Sequence, residues 1–168
     1  EDVSRAEISA IPDGIYTGTG IMDGDEREVM SVRINLDLEV RGDEIYMRFE
    51  SPPQTKSDIN AYKNNSLSAV YFAYIAALPP GSPMNEGLYA PLHIDLGPLG
   101  TIINAQFPAA CYTSTGPTFG LVLDAVNDAL SKANPERAAA KWSFVNVTTF
   151  NGIDPRDNEP FAYLSHFC

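Results

Sequence analysis

The fold is most legible in Val32-Arg33-Ile34-Asn35-Leu36-Asp37-Leu38-Glu39-Val40. Its apolar and polar residues alternate without a break. Side chains on a strand point to opposite faces in turn, so this pattern predicts a strand with one buried and one solvated face. Arg41-Gly42-Asp43-Glu44 then supplies a turn, and Ile45, Met47 and Phe49 alternate with Tyr46, Arg48 and Glu50. Two alternating runs around a glycine-containing connection predict an antiparallel hairpin. Upstream, Ile15-Tyr16-Thr17-Gly18-Thr19-Gly20-Ile21-Met22 is rich in β-forming residues and predicts a third strand. Gly18 and Gly20 within it mark a bulge or a close backbone approach. The three strands make a meander.

Outward from the meander the period changes. Ser51-Pro52-Pro53 stops the sheet edge, and from about Ile59 to Leu78 a helix is expected. Its apolar face carries Leu67, Val70, Tyr71, Tyr74, Ile75 and Leu78. Pro79-Pro80-Gly81 ends it. Short extended pieces follow near Leu92–Leu96 and Thr101–Asn104, with Gly97-Pro98-Leu99-Gly100 as a tight turn between them. Thr118 is the expected N-cap of a second helix carrying Val122, Ala125, Val126, Ala129 and Leu130. Lys132 complements its C-terminal dipole and Asn134-Pro135 terminates it. Strands are expected from Trp142 to Thr149 and from Phe161 to Phe167. The expected class is α+β: an antiparallel sheet, including the three-stranded meander, covered by two main helices. Residues 1–10 form a lead-in and residues 11–168 a single domain, which is the usual number for 168 residues.

With 11 basic and 22 acidic side chains the net charge is −11. Such a chain repels phosphate backbones and anionic lipid surfaces, which argues against nucleic acid and membrane as partners. The longest apolar-rich stretch, Leu67 to Leu78, is far shorter than the roughly 20 residues a membrane helix needs. The N-terminus shows no basic segment followed by an apolar run. Two cysteines, Cys111 and Cys168, make no disulfide framework, and free thiols fit a reducing, cytoplasmic setting.

No complete set of reactive side chains can be assembled from this pattern. The only histidines, His93 and His166, lack the nearby ligands of a metal motif. His166 and Cys168 share one side of a strand, which permits two ligands but not a full set. Cys111 and His93 flank neighbouring loops and would need to meet in space to act as nucleophile and base. Asp23, Asp25 and Glu26 lack the longer ligand pattern of a calcium loop and read as a solvated turn. Asn64 and Asn146 head glycosylation-type triplets, which read as chance matches. Gly18-Thr19-Gly20 lacks the residues that complete a phosphate-binding fingerprint.

An ordered set of short signatures carries a resemblance. Ile11-Pro12-Asp13-Gly14-Ile15-Tyr16 opens it, and Arg41-Gly42-Asp43-Glu44-Ile45 leads to Phe49. Pro53-Gln54 precedes Ile59-Asn60-Ala61. Then come Pro83-Met84-Asn85-Glu86-Gly87, Leu88-Tyr89-Ala90-Pro91-Leu92 and Gly100-Thr101-Ile102-Ile103-Asn104-Ala105. Pro108-Ala109-Ala110 and Asn134-Pro135-Glu136-Arg137 close the set. Over residues 11–168 the chain resembles an internal segment of the hydantoinase B/oxoprolinase family.

The resemblance implies a B-type subunit that works with a hydantoinase A-type subunit or domain. Together they would open cyclic amides in an ATP-dependent reaction, or carboxylate ketones in a related branch. It implies ATP and a divalent metal for the intact complex, none of it held by this segment, and a small-molecule substrate. It also implies that the chain is a fragment of a longer subunit, contacts the remainder of that subunit, and is catalytically incomplete alone. The other reading is a non-catalytic binding or assembly module sharing the domain. Asn60, Asn85, Glu86, Gly87 and Asn104 fall on the matching loops. They either line the substrate- or subunit-facing surface or only order the chain crossings. In the second role Pro83 fixes φ, Gly87 supplies positive φ, and Asn85 bonds its own backbone. The sequence departs from the family pattern at Glu50-Ser51-Pro52-Pro53 and at Cys111-Tyr112-Thr113-Ser114. Both are loops, where substrate contacts concentrate.

Overall fold

The structure, a computed structural model, describes residues 1–23, 31–137 and 146–167. The strands are β1 (Gly14–Asp23), β2 (Ser31–Arg41), β3 (Glu44–Glu50), β4 (Leu92–Asp95), β5 (Asn146–Ile153) and β6 (Pro160–Phe167). The helices are α1 (Asp2–Ser9), α2 (Lys63–Ala76) and α3 (Phe119–Ala133). Strands β1 to β4 form one sheet in chain order, and β5 and β6 form a second, two-stranded sheet.

The alternating run behaves as its pattern dictates. Val32, Ile34, Leu36, Leu38 and Val40 are all buried, and so are Ile45, Met47 and Phe49 opposite them. The meander is present: β1 pairs antiparallel with β2 and β2 with β3. Arg41 pairs with Glu44 around a two-residue turn. Gly42 takes positive φ there, as the first central position of a II′-type turn requires, and its N–H donates to the Asp13 carboxylate.

The sheet is not wholly antiparallel. β4 pairs parallel with β3, from Ile45↔Leu92 to Arg48↔Asp95. The chain leaves β3 at Glu50, passes through α2 and re-enters the sheet at the end where β3 began, and such a crossover yields a parallel neighbour. Thr101–Asn104 is a turn held by isolated bridges to Pro53 and between its own ends, not a strand. The Gly97–Gly100 turn forms as expected, with positive φ at both glycines.

α3 packs across β1 and β2, and α2 packs against α3. Both helices share a single apolar core with the buried sheet face. The close fit of α3 explains the two strand glycines. A Cβ on Gly18 would lie 2.0 Å from the Ala125 carbonyl oxygen, and one on Gly20 would lie 2.1 Å from that of Leu121. The unbroken register through both positions makes this a close approach and not a bulge.

Three local expectations shift. α2 begins at Lys63, four residues later than expected, because Asn60 and Ala61 are drawn into loop hydrogen bonds. Its buried stripe includes Ser66, Ala69 and Ala73 beside Val70 and Tyr74, so small residues face the interior. Thr118 does precede α3, but its hydroxyl donates to the Ile59 carbonyl and does not cap the helix, and a π-helical turn (Ser114–Thr118) leads in. The 1–10 lead-in carries a helix, α1, which buries Ser4 and Ile8. Residues 142–145 of the expected Trp142–Thr149 strand lie outside the described residues, as do Asp25, Glu26 and Cys168.

Candidate functional site

Because β3 and β4 run parallel, their C-terminal ends lie together and launch two loops, 51–62 and 96–113. The carboxyl ends of adjacent parallel strands are where open sheets most often present ligand-binding loops. Here the two loops are laced to each other. Gln54 N–H donates to Gly100 O, Ile102 N–H to Pro52 O, Ala61 N–H to Ile102 O, and Ala105 N–H to Ala61 O. Gln106 N–H donates to the Gln54 side chain, and Tyr62 OH donates to Ala109 O.

Asn60 is the knot of this lacing. It is fully buried, and its amide is committed on every side. Its oxygen accepts from Thr55 N–H at 2.8 Å, and its two amide hydrogens are shared among Thr55 O, Ser57 O and Ala110 O, with the nitrogen at 3.0, 2.7 and 2.8 Å. Asn104 is half-buried and makes one such tie, to Gly97 O at 2.9 Å. With the Asn60 amide spent inward, the most exposed large side chains of the platform are Phe107 and Tyr112, 83% and 89% exposed. Cys111 stands between them in sequence as a half-buried free thiol. This surface can supply aromatic and apolar contact to a bound molecule or a docked chain.

Asn85, Glu86 and Gly87 lie elsewhere. They enter the 3-10 turn Glu86–Leu88, which precedes β4 and therefore stands at the opposite end of the β3–β4 pair. Leu88 O there accepts from Ser4 of α1, whose hydroxyl is also hydrogen-bonded to Tyr74 OH. Gly87 does not take positive φ, and Asn85 forms no side-chain cap bond. Gly87 is instead a matter of space: a Cβ would lie 3.1 Å from the Asn85 side-chain oxygen and 3.4 Å from Glu1 N. The five residues singled out from sequence thus fall into two groups, one at each end of the sheet.

Sequence reasoning missed a polar cluster on the open sheet face. His93 stacks on Tyr46 with ring centroids 4.3 Å apart. Glu44 accepts from Tyr46 OH at 2.7 Å and lies 3.3 Å from His93 Nε2 and 3.4 Å from Arg5. The Tyr46 hydrogen bond, with the nearby His93 and Arg5, holds the Glu44 carboxyl below its usual range, and the same bond raises the Tyr46 phenol. Glu44–Tyr46 could have been read as an i, i+2 pair on one strand face; His93 could not, since it arrives with the parallel strand. A cleft of about 260 Å³ lies beside this cluster, walled by Ile15, Asp37, Glu39, Arg48 and Asp95.

No hydrogen bond among the described residues links His93 to Cys111; they serve opposite ends of β4. No group of three or more His, Cys, Asp or Glu side chains among the described residues stands close enough to share a metal ion. Gly18-Thr19-Gly20 is buried under α3, where backbone contact leaves no room for a phosphate.

Comparison with known proteins places this geometry. The model of the Hydantoinase B/oxoprolinase family matches residues 1–168. The beta subunit of the Pseudomonas jessenii caprolactamase is 42% identical over 156 residues, 92% of this chain and 26% of that protein. The B-type subunit of a putative D-/L-hydantoinase from Pseudomonas sp. (strain NS671) is 29% identical over 164 residues, 90% of this chain and 27% of that protein. The crystal structure of the ATP-dependent caprolactamase from Pseudomonas jessenii superimposes with a TM-score of 0.78 at 39% identity, covering 95% of this chain and 28% of that one. An acetone carboxylase structure superimposes with a TM-score of 0.70 at 16% identity, a likeness of fold, covering 98% of this chain and 24% of that one. The chain spans about a quarter of the length of the curated relatives it matches. The chain belongs to the hydantoinase B/oxoprolinase family.

Proposed function

We propose that this chain is a segment of the B-type subunit of an ATP-dependent cyclic-amide hydrolase, working in the cytoplasm with a hydantoinase A-type subunit or domain. The observation that carries the reading is the 42% identity to a caprolactamase beta subunit across 92% of the chain. The fold shared with an acetone carboxylase keeps ketone carboxylation as the neighbouring chemistry. Within such a subunit the Asn60 platform serves as a rigid wall, with Phe107 and Tyr112 facing substrate or subunit, and Asn85–Gly87 orders the opposite end.

ATP and a divalent metal belong to the intact complex in this reading. In this reading the nucleotide and metal steps fall to the rest of the assembly. A free thiol at Cys111 agrees with a reducing compartment. No helix among the described residues is long and apolar enough to cross a membrane.

The test is ATP hydrolysis assayed with caprolactam, 5-oxoproline, a hydantoin and acetone. The natural subunit carrying this chain is compared, with its A-type partner, against the 168-residue chain alone. Substrate-dependent ATP turnover is expected only from the assembly. Turnover by the isolated chain, or none from the assembly with any of these substrates, overturns the reading.

A further inference from the structure

The β5–β6 hairpin is a two-stranded sheet whose strands pair with each other and with no other strand among the described residues. Its described side chains, Phe161 and Asp154 apart, are exposed on both faces. On one face Phe150 pairs directly with Tyr163, the Tyr163 ring lies 5.4 Å from that of Phe161, and Phe161 packs over Gly152. On the other, Leu164 and Ile153 stand in solvent. Four large apolar residues, Phe150, Ile153, Tyr163 and Leu164, are 55–62% exposed within one short ribbon. A lone two-stranded hairpin is at best marginally stable in water, and a clustered apolar surface marks a contact site.

Charge narrows the occupant. The hairpin tip carries exposed Asp157 and Glu159, while Arg156 is occupied by Asp154 through its Nε and a second guanidinium nitrogen. A second copy of this chain would bring another −11 charge to the contact, which opposes self-pairing. The surface that fits is apolar, offers a strand edge, and is rimmed by basic groups. The relatives are about four times as long as the matched region. A surface on the same polypeptide is present at an effective concentration of about millimolar for a short flexible connection, which favours it over a separate subunit.

The geometry points to the β5–β6 hairpin as a docking arm that adds its aromatic face and a strand edge to another part of its own B-type subunit. This rests on the proposed function only in taking the chain as part of a longer subunit.

Hydrogen exchange tests it on three samples: the natural subunit alone, that subunit with its A-type partner, and the 168-residue chain over a range of concentrations. Peptides spanning 149–164 should exchange at least about tenfold more slowly in the natural subunit alone than in the chain. Tyr163→Lys in the natural subunit should abolish that protection while β2 amides stay protected. Equal, fast exchange in both overturns the proposal. So does protection that appears only with the A-type partner, or only as the chain is concentrated. Substrate-dependent ATP turnover is measured on the same preparations. A protected arm without turnover sinks the proposed function and leaves the arm standing; turnover with an unprotected arm does the reverse.

Discussion

At the scale of single residues, burial and bond count separate the two asparagines that the sequence treats alike. Both sit after short apolar or β-branched runs, Ile59-Asn60-Ala61 and Ile102-Ile103-Asn104, and nothing local distinguishes them. The structure gives Asn60 four hydrogen bonds in a fully buried position and Asn104 one in a half-buried position. Removing a buried amide strands its partners without water. Asn60→Ala should therefore cost on the order of 3 kcal/mol, and Asn104→Ala about 1 kcal/mol. Urea unfolding followed by circular dichroism measures both. Equal costs would show that the loops do not depend on Asn60.

At the scale of elements, the strand pattern made the meander legible, while the two strand glycines left a bulge and a close approach equally open. The packed structure decides between them: the backbone of α3 lies against β1 at Gly18 and Gly20, and the strand register runs through both without a bulge. Asp128 on α3 also accepts from Thr19 N–H, and Lys132 donates to Thr17 O, so the helix seals the β1 edge. A methyl group at Gly18 or Gly20 would overlap a carbonyl that a rigid helix cannot move. Gly18→Ala and Gly20→Ala should each destabilise by about 3 kcal/mol or more. Gly14 in the same strand would meet only the Tyr16 ring, at 3.9 Å, so Gly14→Ala should cost less than about 1 kcal/mol. Thermal unfolding midpoints of the three variants give the comparison. A Gly18→Ala protein as stable as Gly14→Ala would refute the close approach of α3.

At the scale of the whole molecule, Glu44 joins three distant parts of the chain: α1 through Arg5, the meander through Tyr46, and the crossover strand through His93. Its carboxyl titrates lower when folded than when unfolded, chiefly because Tyr46 donates to the charged form. The folded state then holds fewer protons than the unfolded one across that interval. The stabilisation is complete above the ordinary glutamate range and is lost as the pH falls through the folded value. Glu44→Gln should lower the unfolding midpoint at neutral pH, and the gap to the unaltered protein should close on acidification. A gap that stays constant with pH would mean that the carboxylate charge contributes nothing. Local spacing and motif order carry the period-two strands, the hairpin with its turn, the two main helices and the likeness to a family. Long-range packing alone sets β4 parallel, sends Asn60 and Asn85 to opposite ends of the sheet, and brings His93 to Glu44. Those outcomes rest on contacts between residues far apart in the chain, where short segments with equal local preference are chosen by what packs against them.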